Sequence, residues 1–322
     1  TLDEVQMLQQ LQDSPFAIWL LGCFWYSKRR YDDAVACWQQ TLTLEPTFAP
    51  AHRLLGIWQW NKQHDADAAA QSLAQAVALE PENARFLFEL DCLAKLNAES
   101  VETRLTRLND RLSVVFRRDD LTAELLSLWH AHGDYDAAAE VLRDRVFHPW
   151  EGGEGKVTGQ YLLNQMHRAL AQDDPHKATA LLEAALHYPH NLGEGRLPGQ
   201  TDNDIWYLLG VYASQMGQHE QARYYFSRAR DGESVLEAGR YYNDQPADYL
   251  FWQGMARRVL GDHAGADAHF RSFIRWAEAN RDTAPESDFF AVSLPDLVAL
   301  DSDSRQQHQQ HCLFIEALGW LG

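Results

Sequence analysis

The chain has 322 residues, too many for one ordinary core, and suits two domains or one extended repeat array. Its 28 basic and 46 acidic side chains give a formal charge of −18, which repels nucleic acid and anionic membrane because phosphate neutralisation supplies most of that affinity. Apolar residues make up 46%, enough for a core throughout, but the longest apolar run, Phe16 to Tyr26, is shorter than the roughly 20 residues that span a bilayer.

In chain order, a first helix is predicted near Asp3–Gln12, resembling the closing helix of an earlier unit. A helical hairpin follows over Phe16–Pro46, with Ile18, Leu21, Gly22, Trp25, Ala34, Trp38 and Pro46 at its key positions. Gly56 follows Gly22 by 34 residues, with Leu55, Ala69, Leu73, Ala76 and Pro81 around it and one extra residue in the turn. Leu87–Val115 keeps helical periodicity but has Asp91 where the glycine should stand. Leu125, Trp129, Ala138 and Leu142 mark another copy, and Ala178, Leu182 and Ala185 a weaker one. Clear copies return with Trp206, Leu209, Gly210, Ala222, Phe226 and Ala229, then with Leu250, Gly254, Ala266 and Phe270. The small residues let two helices approach closely, and the large ones fill the space beside them. Each hairpin leaves an apolar face that only the next hairpin covers. Tyr31-Asp32-Asp33, Gly133-Asp134-Tyr135 and Gly261-Asp262-His263 supply capping chemistry where second helices begin.

This spacing resembles the tetratricopeptide repeat, whose pattern runs W-x-x-L-G-x-x-Y, then A-x-x-x-F, then P. The resemblance implies an all-α fold, a right-handed superhelical solenoid of helical hairpins with about seven units and a partial eighth. The expected organisation is a solenoid over 1–276 with long loops at 147–158 and 188–202, a helical insert over 277–310, and the first helix of a truncated further unit over 311–322. Ile315, Leu318 and Gly319 restart the pattern there. The chain begins at Thr1 without methionine, and neither end offers a polar cap, so a piece of a longer protein is expected.

Two loops are duplicates at a shift of 40 residues. Pro149, Gly153-Glu154-Gly155, Lys156 and Gly159-Gln160 match Pro189, Gly193-Glu194-Gly195, Arg196 and Gly199-Gln200. One reading is structural: glycines permit sharp turns, the glutamates bond backbone amides, and the basic residues lie over helix ends. The other is a ligand site, with glycine N–H groups as an anion nest, Trp150 as a flat face, and His148, Glu151, Glu154, His190 and Glu194 as polar groups. The spacing does not fit a phosphate-binding P-loop. A third unusual stretch, Asp282–Ser304, contains Phe289-Phe290-Ala291-Val292-Ser293-Leu294-Pro295-Asp296 and reads as a helical insert on the array edge.

His148 through Lys156, Pro189 through Arg196, and Val292 through Asp296 together resemble the C-terminal repeat region of a family of large bacterial proteins of unassigned function. In that family the N-terminal half resembles a β-rich, mutarotase-like, sugar-recognising fold, which implies a link to carbohydrate metabolism. The resemblance carries over no catalytic residue.

In tetratricopeptide proteins generally, the first helix of each hairpin lines a concave groove. The inward positions here are Phe16, Trp19, Cys23 and Tyr26; Arg53, Ile57 and Trp60; then His130, His167, Tyr207, Phe251, Met255 and Arg258. Such an aromatic lining suits an extended peptide, a partner helix or a sugar chain, although many of these rings can simply pack between helices. The chaperone-tail clamp of some relatives is disfavoured, since Trp19 and Cys23 stand where it needs Lys and Asn.

Catalytic and metal readings are weaker. His187 and His190 are split by Pro189, while His308, His311 and Cys312 share a predicted helix without a carboxylate fixed nearby. Glu151, Glu154 and Glu194 are the only candidates for paired-carboxylate chemistry, with Glu154 and Glu194 as acid and base. Cys23, Cys37, Cys92 and Cys312 form no C-x-x-C pair and read as reduced core residues of a cytoplasmic protein. The expectation is a non-catalytic scaffold without cofactor or metal. It binds a protein partner or its own upstream domain, or else a carbohydrate or anionic metabolite, or serves as an accessory part of a carbohydrate-active enzyme.

Overall fold

Described residues are 2–150, 152–196, 200–232, 234, 236, 248–283 and 299–322 of a computed structural model. Glu151 and the stretch Phe289–Asp296 lie outside them. Among the described residues every regular element is a helix. Contacts divide the chain into two compact units, Thr1–Leu128 with Val298–Ser302, and Trp129–Leu297 with Asp303–Gly322.

The first unit opens with α1 (Leu2–Gln10). The hairpin of α2 (Pro15–Ser27) and α3 (Tyr31–Leu44) follows, then α4 (Ala49–Trp58) and α5 (Ala66–Leu79), then α6 (Ala84–Leu96) and α7 (Val101–Asn109). The short α8 (Leu112–Val115) leads into α9 (Asp119–His132). Gly22 on α2 lies against α3 so closely that a Cβ there would come within 2.5 Å of the Trp38 indole nitrogen and 3.1 Å of the Ala34 carbonyl. Gly56 meets Leu73 in the same way. Most turns between paired helices hold one left-handed residue. Arg29 (φ 59°), His64 (φ 57°) and Ala98 (φ 55°) serve in the first unit, and Gly133 (φ 99°) in the second. From Arg29 to Gly133 these positions recur every 34 or 35 residues, so the backbone itself carries the repeat period.

The extra residue of the second copy does not lengthen its turn. Gln59–Gln63 forms a single π-turn continuing α4, which absorbs the insertion inside the helix. The degenerate third copy replaces glycine-on-ring packing with charge. Asp91 is fully buried and takes a bidentate bond from Arg104 of α7, at 3.1 and 2.6 Å. Arg104 also reaches Glu124 at 3.2 Å, and Lys95 bonds Glu124 at 2.9 Å. Burial pushes the Asp91 carboxyl up, against the bond and charge of Arg104. Burial works against the Arg104 guanidinium too, but Asp91 and Glu124 together hold it above its ordinary value.

In the second unit α10 (Tyr135–Asp144) precedes α11 (Lys156–Leu170), which pairs with α12 (Pro175–Ala185). Then come α13 (Asn203–Gln215) with α14 (His219–Arg230), α15 (Asp248–Val259) with α16 (His263–Asn280), and α17 (Ser304–Leu321). Gly217 (φ 74°) and Gly261 (φ 91°) turn two of these hairpins. A Cβ on Gly210 would sit 2.6 Å from the Phe226 ring, and Gly254 faces Phe270 likewise. Asp262 caps α16 through the Gly265 amide, but Asp134 makes no side-chain cap on α10.

The closing helix begins at Ser304 rather than at 311, because Asp303 caps it through the amides of Arg305 and Gln306. Its Gly319 faces back onto α16, where a Cβ would lie 2.9 Å from the Phe270 carbonyl. His308 and His311 of this helix are occupied structurally. His308 Nε2 lies 2.8 Å from the Asn280 carbonyl, and His311 meets the Trp276 ring edge-on. Of the cysteines, Cys92 and Cys312 are buried, whereas Cys23 and Cys37 are only half-buried. No helix among the described residues is long and apolar enough to cross a membrane.

Candidate functional site

The first unit holds a short non-helical piece of chain against its helices. Residues 299–302 belong to this unit and lie beside the π-turn. Asn61 makes a two-point clamp on their backbone: its Nδ2 donates to the Ala299 carbonyl at 2.8 Å, and its Oδ1 accepts from the Asp301 amide at 2.8 Å. The Trp60 indole donates to the Asp301 carbonyl at 2.8 Å. Lys62 Nζ pairs with the Asp301 carboxylate at 3.2 Å, and that bond holds its ammonium above its ordinary value. Between the polar contacts, Leu300 is buried in one cluster with Ile57, Leu73, Cys92 and Leu93. Tyr26 of α2 completes the site. Burial pushes its hydroxyl up, opposed by a hydrogen bond with Asn61 and the charge of Lys62.

The contacts to Ala299 and Asp301 run mainly to backbone groups. One apolar side chain is sunk and one carboxylate is met by a cation, the kind of contact by which a groove holds a peptide segment. Trp60, Asn61 and Lys62, three consecutive residues of the π-turn, all reach this one segment. A regular α-helix sets neighbours about 100° apart. Periodicity points to Tyr26 and Trp60 as groove residues and gives no sign of Asn61, Lys62, Leu300 or Asp301. The one signal in the sequence was the extra residue of the second copy.

The other expected groove residues are spread over separate contacts. Trp19 packs on Phe16 and Phe48, with ring centroids 5.7 and 5.8 Å apart. Arg53 forms a bidentate pair with the buried Glu89, both bonds at 2.5 Å. In the second unit His167 stacks on Tyr135 at 4.7 Å and lies 6.5 Å from His130. His130 is almost fully buried, between Gln160 Oε1 at 2.6 Å from its Nδ1 and Asn164 Nδ2 at 3.1 Å from its Nε2. Asn164 Nδ2 also donates to the Tyr135 carbonyl, so it cannot flip without losing a bond. This holds His130 neutral with its proton on Nδ1. Burial first, then the charge of His167, lower its pKa, and the Gln160 bond opposes them. Tyr207 packs on Phe226 and Trp252, and Phe251 on Trp252 and Phe270. Arg258 pairs with Asp267 at 3.1 Å and lies over the Phe270 ring.

The duplicated loops meet, and their polar groups bind each other. Glu194 accepts from the Gly155 amide at 3.0 Å and from the Thr158 hydroxyl at 3.2 Å, capping α11. Burial pushes this carboxyl up, opposed by those two bonds and reinforced by the Glu154 charge. Asn191 closes the end of α10 through the carbonyls of Leu142 and Arg145, both at 2.8 Å, and its own carbonyl accepts from the Phe147 amide at 2.7 Å. Gly193 has φ 80°, and a Cβ there would meet the Phe147 carbonyl at 2.5 Å. Arg196 bonds the Leu186 carbonyl and pairs with Asp202. Trp150 lies over Gly153. Lys156 begins α11, its amide bonded to the Gly153 carbonyl. His148 and His190 are exposed at the surface of these loops.

Residues 204–229, the hairpin of α13 and α14, match the family model of the tetratricopeptide repeat. That hairpin shares its glycine-on-large-residue contact with α2/α3, α4/α5 and α15/α16, so the packing of the matched repeat recurs along an all-α helical-repeat chain. Among solved structures it is similar to Naa15/Naa10 bound to HypK-THB, at 16% identity and TM-score 0.46, covering 87% of this chain and 39% of that one. It thus spans well under half the length of that relative. It is also similar to a tetratricopeptide repeat protein from Parabacteroides merdae, at 12% identity and TM-score 0.44, covering 93% and 98% of the two chains. A third, YrrB, a TPR protein with an unusual peptide-binding site, matches at 14% identity and TM-score 0.32, covering 70% and 90%. These faint likenesses carry no inference about activity.

Proposed function

We propose that the protein is a non-catalytic scaffold that binds partner proteins by holding a short non-helical segment on the first helices of its first unit. One observation carries this reading: Asn61, Trp60 and Lys62 hold the backbone and one carboxylate of 299–301 while Leu300 enters an apolar pocket. Backbone-directed bonds bind any extended chain, and the pocket and the cation select among sequences.

The alternative, a carbohydrate or anionic-metabolite module on the paired Gly-Glu-Gly loops, has less support. The Gly155 amide that would receive an anion already receives the Glu194 carboxylate. Glu194, the proposed acid or base, is spent as a helix cap.

Probing the full chain with an array of 12-residue peptides tests the reading. Sequence-dependent binding that is lost in Trp60→Ala and Asn61→Ala, yet kept in Trp150→Ala, is the expected result. Binding that ignores the Trp60 and Asn61 substitutions, or follows Trp150, would contradict it.

A further inference from the structure

The occupant of this site is part of the same chain. Residues 299–302 lie more than 200 residues beyond the helices that hold them, so their binding closes a very long loop. Four polar contacts and a buried leucine hold a segment of four residues, which forms no helix or strand of its own. The polar contacts are unevenly buried. Asn61 is 8% exposed, whereas the Asp301 carboxylate is 64% exposed and its Lys62 partner 35%. The inner bonds read the backbone, and the outer pair offers charge selection at the rim.

We infer that Ala299-Leu300-Asp301 is an internal stand-in for a partner peptide, and that partner segments of the same chemistry, a leucine-sized apolar residue followed by a carboxylate, bind by displacing it. The inference rests on the scaffold reading above and adds both the ligand class and the competition. An attached competitor weakens an incoming peptide by the fraction of time the site is open. An outside segment therefore needs a longer contact, or a second anchor, to win. Leu300 sets the size of the pocket and Lys62 the sign of the charge next to it. The segment DLVALDSDS, residues 296–304, carries that pattern and is a ready probe.

The test uses the full chain and a fluorescein-labelled, end-capped peptide Ala-Leu-Asp-Ser-Asp-Ser, the sequence of residues 299–304, read by fluorescence anisotropy. Two variants open the site, Leu300→Ala and Asp301→Ala; the second removes only a largely exposed carboxylate and guards against a folding defect in the first. The expected result is binding at least about tenfold tighter to Leu300→Ala than to wild type, and about threefold tighter to Asp301→Ala, whose lost ion pair is largely exposed. Adding Asn61→Ala to either opened variant should abolish it, and a peptide with Lys in place of Asp should bind at least about tenfold more weakly. Equal affinity for wild type and opened variants would overturn the competition but leave the scaffold reading standing. No binding to the opened variants, with far-UV circular dichroism unchanged, would overturn the assignment of this ligand class. In that case only the peptide array, through its sensitivity to Trp60, still decides the scaffold reading.

Discussion

Breaking the Asp91–Arg104 pair isolates the device that replaces glycine packing in the third copy. Asp91 is wholly buried and Arg104 is 6% exposed, so removing either partner strands a charge away from water. Such a loss costs about 3–5 kcal/mol. The surroundings divide the two cases. Without Asp91, Arg104 keeps Glu124 at 3.2 Å, so Asp91→Ala falls at the lower end, about 3 kcal/mol. Without Arg104, Asp91 is left with Arg107 at 3.8 Å, so Arg104→Met falls at the upper end, about 5 kcal/mol. Removing both replaces the ion pair by apolar contact, so the double variant should be more stable than Arg104→Met alone by about 2 kcal/mol or more. Urea titration followed by circular dichroism measures the totals. Hydrogen exchange of the α6 and α7 amides shows whether the loss is local, which matters because repeat chains need not unfold in one step. An Arg104→Met loss below about 1 kcal/mol, or a double variant no better than Arg104→Met, would refute the reasoning.

Other substitutions probe the repeat and its histidines. Arg29, His64 and Ala98 each carry a left-handed turn without being glycine, so replacement by Gly should stabilise by about 1 kcal/mol apiece, read as a rise in urea midpoint. Gly210→Ala should destabilise by about 1–3 kcal/mol because of the Phe226 ring. Gly159→Ala in α11, where a Cβ would meet nothing within 4 Å, should gain about 0.5–1 kcal/mol in the same titration. The neutral His130 has a folded pKa below its ordinary 6.5. Its contribution is therefore complete above pH 6.5 and is lost as pH falls from 6.5 through the folded pKa, since the unfolded chain binds the proton first. Nuclear magnetic resonance should show the Nδ1–H form persisting at pH 6.5, and His130→Gln should flatten the drop in stability between pH 7 and pH 5.5.

The repeat was legible because close helix contact demands small residues, and Gly22, Gly56, Gly210 and Gly254 announce it directly. Asp91 was visible as a departure, but its meaning depended on Arg104, whose reach across to α6 leaves no periodic trace. The twin loops were legible as a duplication. That a loop glutamate would bond a backbone amide was one reading of the sequence; that Glu194 would reach the Gly155 amide of the other loop was not legible, since bonding between loops is set by tertiary geometry. The site suffered most. Periodicity assumes 3.6 residues per turn, and the π-turn breaks that rule where Asn61 and Lys62 matter. Leu300 and Asp301 were read only as part of an insert, because nothing local ties them to helices more than 200 residues earlier.

The backbone amide of Asp301 tests the account most directly, since it donates to Asn61 Oδ1 and is held only if the site holds this segment. Hydrogen exchange resolved to this amide should show protection in wild type and exchange at the unprotected rate in Asn61→Ala. An unprotected Asp301 amide in wild type, or protection unchanged by Asn61→Ala, would contradict a peptide-holding site on the first unit.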